Sequence, residues 1–199
     1  MGEPATHPWI DYPAYLALER DTDTRHEWLD GRVYAMAGGS LLHSELKALV
    51  VGELLRVARA CGCKVFDSDA KVRVLATGLA TYPDASVVCG VVQTDPGDDH
   101  AITNPSVLVE VLSEGTEAYD REEKFAHYRR IPSLKDYVLV SQRARRVEVF
   151  SRSVDGQWLF SVAEAGETLR LTAMSGAIAV DEVYAGVGLP PPVRPRRSE

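Results

Sequence analysis

The sequence predicts an α/β protein with a mixed β-sheet, and three observations support this class. Helical and strand-like patterns alternate through the middle of the chain, as in α/β folds. Residues 107–112 are almost continuously apolar, as expected of a central strand covered on both faces. Residues 42–58 repeat apolar side chains at helical spacing. We therefore expect a central mixed β-sheet flanked by helices, with additional β-hairpins.

Length and composition bound the size of the protein and the ways it can bind a partner. The chain has 199 residues, of which 45% are hydrophobic and 26% charged, enough for one domain that buries a core. We expect a single domain over residues 1–189 and a disordered Pro- and Arg-rich tail at 190–199. The net charge of -7 means that nucleic-acid binding would need a local basic face or metal ions.

The cysteines and the N-terminus indicate the compartment. Cys61, Cys63 and Cys89 are odd in number and lack the paired spacing of a zinc site, so we expect reduced thiols in a cytoplasmic protein. The first eleven residues lack the basic and apolar regions of a signal peptide. The longest apolar stretches are too short to cross a bilayer, so no membrane partner is expected.

The first third of the chain carries three local signals. A helix is predicted after Asp11, with a proline in its opening turn. Asp-Gly at 30–31 separates two short alternating runs, which predicts a β-hairpin. Ser40 is placed to cap the long helix, and Gly62 is placed to end it.

The rest of the chain predicts strands around one further helix. That helix is expected at 120–130, before Pro132. Residues 77–80 are predicted as a turn and 93–104 as a polar loop, whereas 163–187 suggest a short strand and a docked terminal segment. The expected strands are 64–67, 71–75, 85–89, 105–112, 135–140, 146–150 and 158–162.

Two carboxylates lie at the ends of buried strands. Asp84 stands where the chain enters one strand, and Glu110 lies near the end of another. A carboxylate beside a core is costly unless it is paired or binds metal. Together the two could bind Mg²⁺ for phosphodiester hydrolysis. The alternative is structural, with a Pro-Asp turn and a Glu110 ion pair, and the two residues alone favour it.

Lys124 shifts this balance towards an active site. It lies on the helix that follows the Glu110 strand, so the helix could return it to the strand's end. A lysine there could orient water and stabilise charge on a phosphate. The alternative is an i,i+4 pair with Asp120, which contributes only a few tenths of a kcal/mol.

The order of these residues resembles the Uma2 family, a bacterial set formerly known only as a domain of unknown function. That family is similar to the PD-(D/E)xK nuclease superfamily, which has a restriction-endonuclease-like fold. The resemblance covers roughly residues 10–187 and is strongest over 82–140. The residues that carry it are Glu27, Asp30, Gly31, His43, Pro83, Asp84, residues 109–113, Asp120, Lys124 and Tyr128.

The resemblance implies a role for each acidic residue. Asp84 fills the Asp of the Pro-Asp motif and Glu110 the acidic place of the (D/E)xK motif, so both would ligate Mg²⁺ or Mn²⁺. Glu27 would be a further metal ligand or a supporting group. The alternative for Glu27 is a cross-strand partner of Arg32 or Arg25.

One position departs from the superfamily pattern. Leu112 stands two residues beyond Glu110, where the motif has lysine, and Lys124 is the candidate replacement.

His43 is interpreted as a helix cap or a carboxylate partner in preference to a phosphate contact. The basic concentration formed by Arg129, Arg130, Arg143, Arg145 and Arg146 is interpreted as solvated surface.

The sequence therefore predicts a metal-dependent endonuclease that acts on nucleic acid, with DNA favoured over RNA. The alternative is a catalytically inactive binding or regulatory module with a nuclease fold, because of Leu112 and the acidic surface. A phosphatase with the same metal chemistry is a weaker third hypothesis. A homodimer through the hairpin at 146–162 is compatible with this fold.

Overall fold

A computed structural model describes residues 9–36 and 38–189 of the chain. The tail predicted at 190–199 lies outside the described residues, and so does the very start of the N-terminus. The strands are β1 (His26–Leu29), β2 (Arg32–Ala35), β3 (Cys63–Asp67), β4 (Lys71–Val74), β5 (Leu79–Thr81), β6 (Ala85–Cys89), β7 (Thr94–Asp95), β8 (Asp98–Ile102), β9 (Val107–Val111), β10 (Asp136–Val140), β11 (Arg146–Arg152), β12 (Trp158–Glu164), β13 (Thr168–Arg170) and β14 (Ala177–Ala179).

Four helical segments accompany these strands. Helix α1 is Tyr12–Asp21 and α2 is Leu41–Cys61. Helix α3 is continuous but changes pitch, and α4 is the short segment Val180–Val183. The three parts of α3 are an α-helical start Glu117–Tyr119, a π-helical turn Asp120–Lys124 and an α-helical end Phe125–Tyr128. No described helix is long and apolar enough to span a bilayer.

The strands form two large mixed sheets. The first has the order β2-β1-β5-β4-β8-β7, and the second has the order β12-β11-β10-β9-β6-β3. Strand β9 lies in the middle of the second sheet, parallel to β10 and antiparallel to β6. A small antiparallel pair, β13 with β14, completes the β structure.

The second sheet is covered on both faces. Val107 and Val109 of β9 face the core formed with α2 and α4, whereas Leu108 faces the core formed with α3 and the first sheet. All five residues of β9 are buried. The prediction of a central strand between two apolar layers, in a mixed sheet flanked by helices, is therefore confirmed.

The local signals in the first third of the chain are also confirmed. Asp11 caps α1 by accepting a hydrogen bond from Ala14 N at 2.9 Å. Asp30 and Gly31 have φ of 48° and 80°, the positive pair that a tight two-residue hairpin requires. Ser40 caps α2, and Gly62 ends it in the left-handed conformation.

The predicted turn at 77–80 and the predicted loop at 93–104 were both wrong in part. Residues 79–81 form β5, and most of 93–104 forms β7 and β8. Strand β8 pairs in parallel with β4, a contact between segments distant in sequence. Its polar sequence is compatible with a strand because Asp98 is neutralised by Lys71, whose Nζ lies 2.9 Å away.

The prediction of three reduced cysteines was wrong for two of them. Cys63 and Cys89 form a disulfide, and Cys61 is free. The two bonded cysteines are directly opposite each other where β3 pairs with β6, with their Cα atoms 4.3 Å apart. A C-x-C spacing gives no hint of this partner, because strand register alone brings Cys89 to Cys63.

Candidate active site

Asp84 and Glu110 meet where the chain crosses from the first sheet to the second. Asp84 directly precedes β6, which runs antiparallel to β9 with Ala85 opposite Val109. Continued by one residue, the same register sets Asp84 opposite Glu110. The backbone N–H of Val111 donates to Asp84 Oδ2 at 2.7 Å, which fixes the carboxylate at this edge. The two predicted acidic residues thus lie side by side.

Helix α3 brings Lys124 back to the end of β9. The ammonium Nζ lies 2.9 Å from Glu110 Oε1 and 3.6 Å from Asp120 Oδ1. Asp120 and Lys124 open and close the π-helical turn, and both are buried. Turns of this kind are frequent at functional sites. Leu112, at the position where the superfamily motif has lysine, packs instead into the core beside α3.

Glu27 reaches the same cluster from the first sheet. Its Oε1 lies 3.1 Å from Lys124 Nζ, and it also accepts a hydrogen bond from the Thr81 hydroxyl. The Tyr119 hydroxyl donates to Oε2 at 3.2 Å. The alternative that Glu27 pairs with Arg25 or Arg32 was therefore wrong, because the cation that contacts it is Lys124.

The lysine and Glu27 carry opposite charges in this environment. Burial opposes protonation of Lys124, but the charges of Glu110 and Glu27 outweigh burial and raise the pKa of the ammonium above its usual value. Burial also opposes ionisation of Glu27, but the charge of Lys124 and the hydrogen bond from Thr81 hold the pKa of this carboxyl below its usual value. Lys124 and Glu27 therefore form an ion pair.

At Glu110 and Asp120 the positive charge of Lys124 does not outweigh the effect of burial on the pKa. Burial raises the pKa of Glu110 to about 8, against the charge of Lys124 and with added repulsion from Asp120 and Asp84. Burial likewise raises the pKa of Asp120. One lysine thus neutralises only part of the negative charge that these carboxylates could carry. An added cation would favour the ionised form of Glu110.

His43 contacts Asp84 from the first turn of α2. Its Nε2 lies 3.2 Å from Asp84 Oδ2, and both side chains are mostly buried. Its backbone N–H donates to Ser40 Oγ at 3.1 Å, which completes the helix cap. The interpretation of His43 as a carboxylate partner is therefore confirmed, and the carboxylate is one of the two predicted acidic residues.

One cavity of about 940 Å³ is lined by the four carboxylates and the lysine described above, together with His43 and Tyr119. Its charged lining is mainly acidic, with six carboxylates against three permanent cations among the described residues. The carboxylates are those of Asp23, Glu27, Asp84, Glu110, Glu114 and Asp120, and the cations are Arg25, Lys47 and Lys124. An anionic ligand would therefore meet repulsion here unless further positive charge were bound.

The donor set of this cavity suits a hard cation that keeps its own water. Within residues 9–36 and 38–189, no three His, Cys, Asp or Glu side chains are grouped closely enough to enclose a metal ion. Mg²⁺ needs only one or two carboxylates, because waters and substrate oxygens complete its shell. Protein contacts engage Oδ2 of Asp84 and Oε1 of Glu110, so Oδ1 and Oε2 remain for a further ligand.

Several residues in the cavity or directly behind it were missed by the sequence interpretation. Thr81 and Tyr119 bind Glu27, and neither carries a recognisable signal in the sequence. Lys47 lines the cavity, and its spacing of four residues after His43 could have indicated that both share a helix face. By contrast, the predicted basic cluster is mostly neutralised, since Arg143, Arg145 and Arg146 each contact carboxylates.

Solved structures offer a comparison for the fold. A crystal structure from Anabaena variabilis, described as a "putative nuclease belonging to DUF820", matches with a TM-score of 0.67 and 15% sequence identity. The match covers 82% of this chain and 91% of that chain. At this identity the likeness shows the fold alone, and it agrees with the predicted restriction-endonuclease-like architecture.

Relatives in sequence extend over nearly the whole chain. Uncharacterized protein slr1290 of Synechocystis sp. is 36% identical over 186 residues, which are 92% of this chain and 95% of that protein. Uncharacterized protein sll1609 of the same organism is 31% identical over 157 residues, covering 79% and 89%. The model of the Uma2 family, described as "Putative restriction endonuclease", matches residues 12–180. The chain therefore belongs to the Uma2 family.

Proposed function

We propose that the protein is a metal-dependent endonuclease that hydrolyses phosphodiester bonds in nucleic acid. The observation that carries the proposal is the meeting of Asp84, Glu110 and Lys124 in one cavity, each from a different element. The description of the Uma2 family agrees with this activity. Because that description names restriction endonucleases, we propose DNA in preference to RNA as the substrate.

Asp84 and Glu110 are the proposed ligands of Mg²⁺ or Mn²⁺. When bound, such an ion would polarise the scissile phosphate and make an attacking water more acidic. The Val111 backbone N–H donates to Asp84 at 2.7 Å and the Tyr128 hydroxyl donates to Glu110 at 2.8 Å, and these hydrogen bonds hold the two carboxylates in place. The acidic lining of the cavity supports metal dependence, because a phosphate would be repelled without an added cation.

Lys124 and Glu27 have complementary proposed roles. The protonated ammonium of Lys124 would donate hydrogen bonds to a phosphate oxygen and stabilise the charge that develops there. Glu27 fixes this ammonium, with its Oε1 at 3.1 Å from Nζ. Because protein groups already engage both oxygens of Glu27, we propose that it contacts the metal through water.

Cleavage assays with matched variants test this proposal. The purified protein should cleave plasmid DNA with Mg²⁺ or Mn²⁺, and a chelator should stop cleavage. Asp84→Asn and Glu110→Gln should each lower the rate on the order of 10³-fold, the loss expected when several kcal/mol of transition-state stabilisation disappear. Glu122→Gln removes an equal charge from the exposed face of α3 and should leave the rate unchanged. Undiminished cleavage by Asp84→Asn would refute the assigned site.

An inactive nuclease-fold module remains the second candidate. The observation that favours it is Leu112, which is buried in the core at the position of the motif lysine. Thermal unfolding with and without Mn²⁺, beside the cleavage assay, separates the two functions. Stabilisation by Mn²⁺ that disappears in Asp84→Ala and Glu110→Ala would support the metal site, whereas no stabilisation and no cleavage of DNA or RNA would favour the inactive module.

The homodimer stays a prediction with one structural feature in its support. Strand β12 is an edge strand of the second sheet, and its Leu159 and Phe160 are 59% and 53% exposed. Unprotected edges with apolar side chains tend to pair with another chain. Sedimentation of the purified protein measures the oligomeric state, and Phe160→Lys should shift any dimer towards monomer.

A further inference from the structure

Two cations on one wall of the cavity converge on Ser68, away from the acidic cluster. Lys47 Nζ donates to Ser68 Oγ at 2.9 Å, and Arg25 Nη1 donates to Ser68 O at 3.1 Å. All three residues line the same cavity as Asp84 and Glu110. We propose that Arg25, Lys47 and Ser68 form a subsite for a backbone phosphate of a nucleic-acid strand, next to the phosphate that is cleaved. This inference rests on the proposed nuclease function.

The charge balance at Ser68 supports an anionic ligand. Arg25 contacts Asp69 through Nη2 at 2.7 Å, but the two side chains are 42% and 71% exposed, so this pair contributes little. Lys47 forms no ion pair with a carboxylate in the described part of the chain, and its partner is a neutral hydroxyl. Two cations thus share one weakly held carboxylate. Bringing like charges together is unfavourable unless an anion binds between them.

The side chains match the chemistry of a phosphate group. A guanidinium offers parallel N–H groups to two phosphate oxygens, and an ammonium adds a compact point charge. The Ser68 hydroxyl can turn to donate to a third oxygen. Arg25 also lies over the ring of Tyr82, with its Cζ 5.7 Å from the centroid, which limits the orientations of the guanidinium. Binding would exchange the exposed contact of Arg25 with Asp69 for a contact with the phosphate.

The position of Lys47 distinguishes this subsite from the place of cleavage. Lys47 follows His43 by one turn of α2, a rise of about 6 Å along the helix. His43 contacts Asp84, so the lysine lies beyond the acidic pair and not against it. A nucleic-acid strand presents successive phosphates that can occupy both places. A small phosphomonoester, in contrast, has one phosphate and can occupy only one of them.

Binding of a fluorescently labelled DNA oligonucleotide tests the subsite separately from catalysis. Affinity is measured by anisotropy, with Ca²⁺ in place of Mg²⁺ and with the oligonucleotide checked to be intact. Lys47→Gln and Arg25→Gln should each weaken binding about tenfold and reduce the slope of log K against log salt by about 0.9. Lys64→Gln, an exposed lysine on β3 outside the cavity lining, is the matched control and should bind as the wild type does.

Two further measurements make the outcomes decisive. In cleavage assays Lys47→Gln should raise KM with kcat unchanged, as expected for lost substrate binding, and Lys47→Arg should restore KM. Wild-type affinity in Lys47→Gln and Arg25→Gln would overturn the subsite even if Asp84→Asn abolished cleavage. If no protein cleaved but both variants still lost affinity, the subsite would stand and the nuclease function would fall. Equal competition by inorganic phosphate and by unlabelled oligonucleotide would overturn the polynucleotide assignment.

Discussion

Among the residues that the structure describes, two buried lysines contact carboxylates, and their surroundings differ in charge balance. Lys71 faces one carboxylate, Asp98, at 2.9 Å. Lys124 lies among three, those of Glu27, Glu110 and Asp120, within 3.6 Å. Both lysines are only 6–7% exposed in their side chains.

Lys71 and Asp98, the balanced pair, are surrounded by further contacts. Asp98 also accepts hydrogen bonds from the Tyr12 hydroxyl and the His100 backbone N–H, and Lys71 lies over the rings of Tyr15 and Tyr82. Burial opposes the ionisation of Asp98, but Lys71 outweighs it and holds the pKa of this carboxyl below its usual value. Neither Asp98 nor Lys71 lines the cavity, so this pair serves to hold β4 and β8 together.

Lys124 with Glu27, Glu110 and Asp120, the unbalanced cluster, is accessible to a ligand. It lines the cavity, and burial among other carboxylates raises the pKa of Glu110 to about 8. Negative charge in excess of the available cations destabilises the folded protein unless a further cation binds. The comparison teaches that charge imbalance beside a cavity, more than burial of a charged group as such, distinguishes a candidate functional site from a structural ion pair.

The largest expected effect is that of removing Lys124. Lys124→Met should lower the free energy of unfolding by about 4 kcal/mol, because it leaves three buried carboxylates without their cation. Urea unfolding in the presence of a chelator measures this loss. Lys135→Met, on the exposed surface, is the control and should change stability little. A loss below about 1 kcal/mol would mean that the cluster behaves as a surface ion pair.

Breaking the balanced pair should affect stability without affecting catalysis. Asp98→Asn should lower the free energy of unfolding by about 3 kcal/mol, since Lys71 then stays buried without its counter-charge. Cleavage under conditions where the variant is folded should equal that of the wild type. A selective loss of cleavage would show that Asp98 acts on the proposed active site.

Replacing a carboxylate of the cavity, in contrast, should not lower the free energy of unfolding of the metal-free protein. Glu110→Gln should leave the stability of the metal-free protein unchanged or raise it by about 1 kcal/mol, because burial already disfavours the ionised form of Glu110 and the amide keeps the shape of the neutral carboxyl. Mn²⁺ at 100 times its dissociation constant should stabilise the wild type by about 2.7 kcal/mol and this variant hardly at all. Thermal unfolding with and without Mn²⁺ measures both, and equal stabilisation of both proteins would contradict the assigned ligand.

The smallest expected effect is the loss of stability when the pH is lowered. The pKa of Asp98 is lower in the folded protein than the usual 3.8, so the stabilisation from this carboxylate is fully present above that value and is lost as the pH falls through the folded pKa. Wild-type stability should therefore fall below about pH 4. In Asp98→Asn this part of the acid loss should be absent. Parallel unfolding curves of the two proteins down to pH 2.5 would show that Lys71 does not shift the titration.

The sequence supported part of the site and missed the rest for identifiable reasons. Lys124 could be predicted because its helix directly follows the Glu110 strand, which restricts where the helix can return. The role of Glu27 stayed ambiguous because its contact with Lys124 depends on how the first sheet packs on the second. Lys71 and Asp98 were missed because β8 was predicted as a loop, and its parallel pairing with β4 is non-local.

The sequence by itself determined the elements whose causes are local: the caps at Asp11 and Ser40, the Asp-Gly hairpin, the long amphipathic helix and the buried central strand. It also placed Asp84 and Glu110 at strand ends. Only the tertiary structure decided which carboxylates share Lys124 and which cations lie across the cavity. It also decided that Cys63 faces Cys89. These contacts follow from strand register and from the packing of two sheets, and such long-range geometry leaves no periodic pattern in the chain.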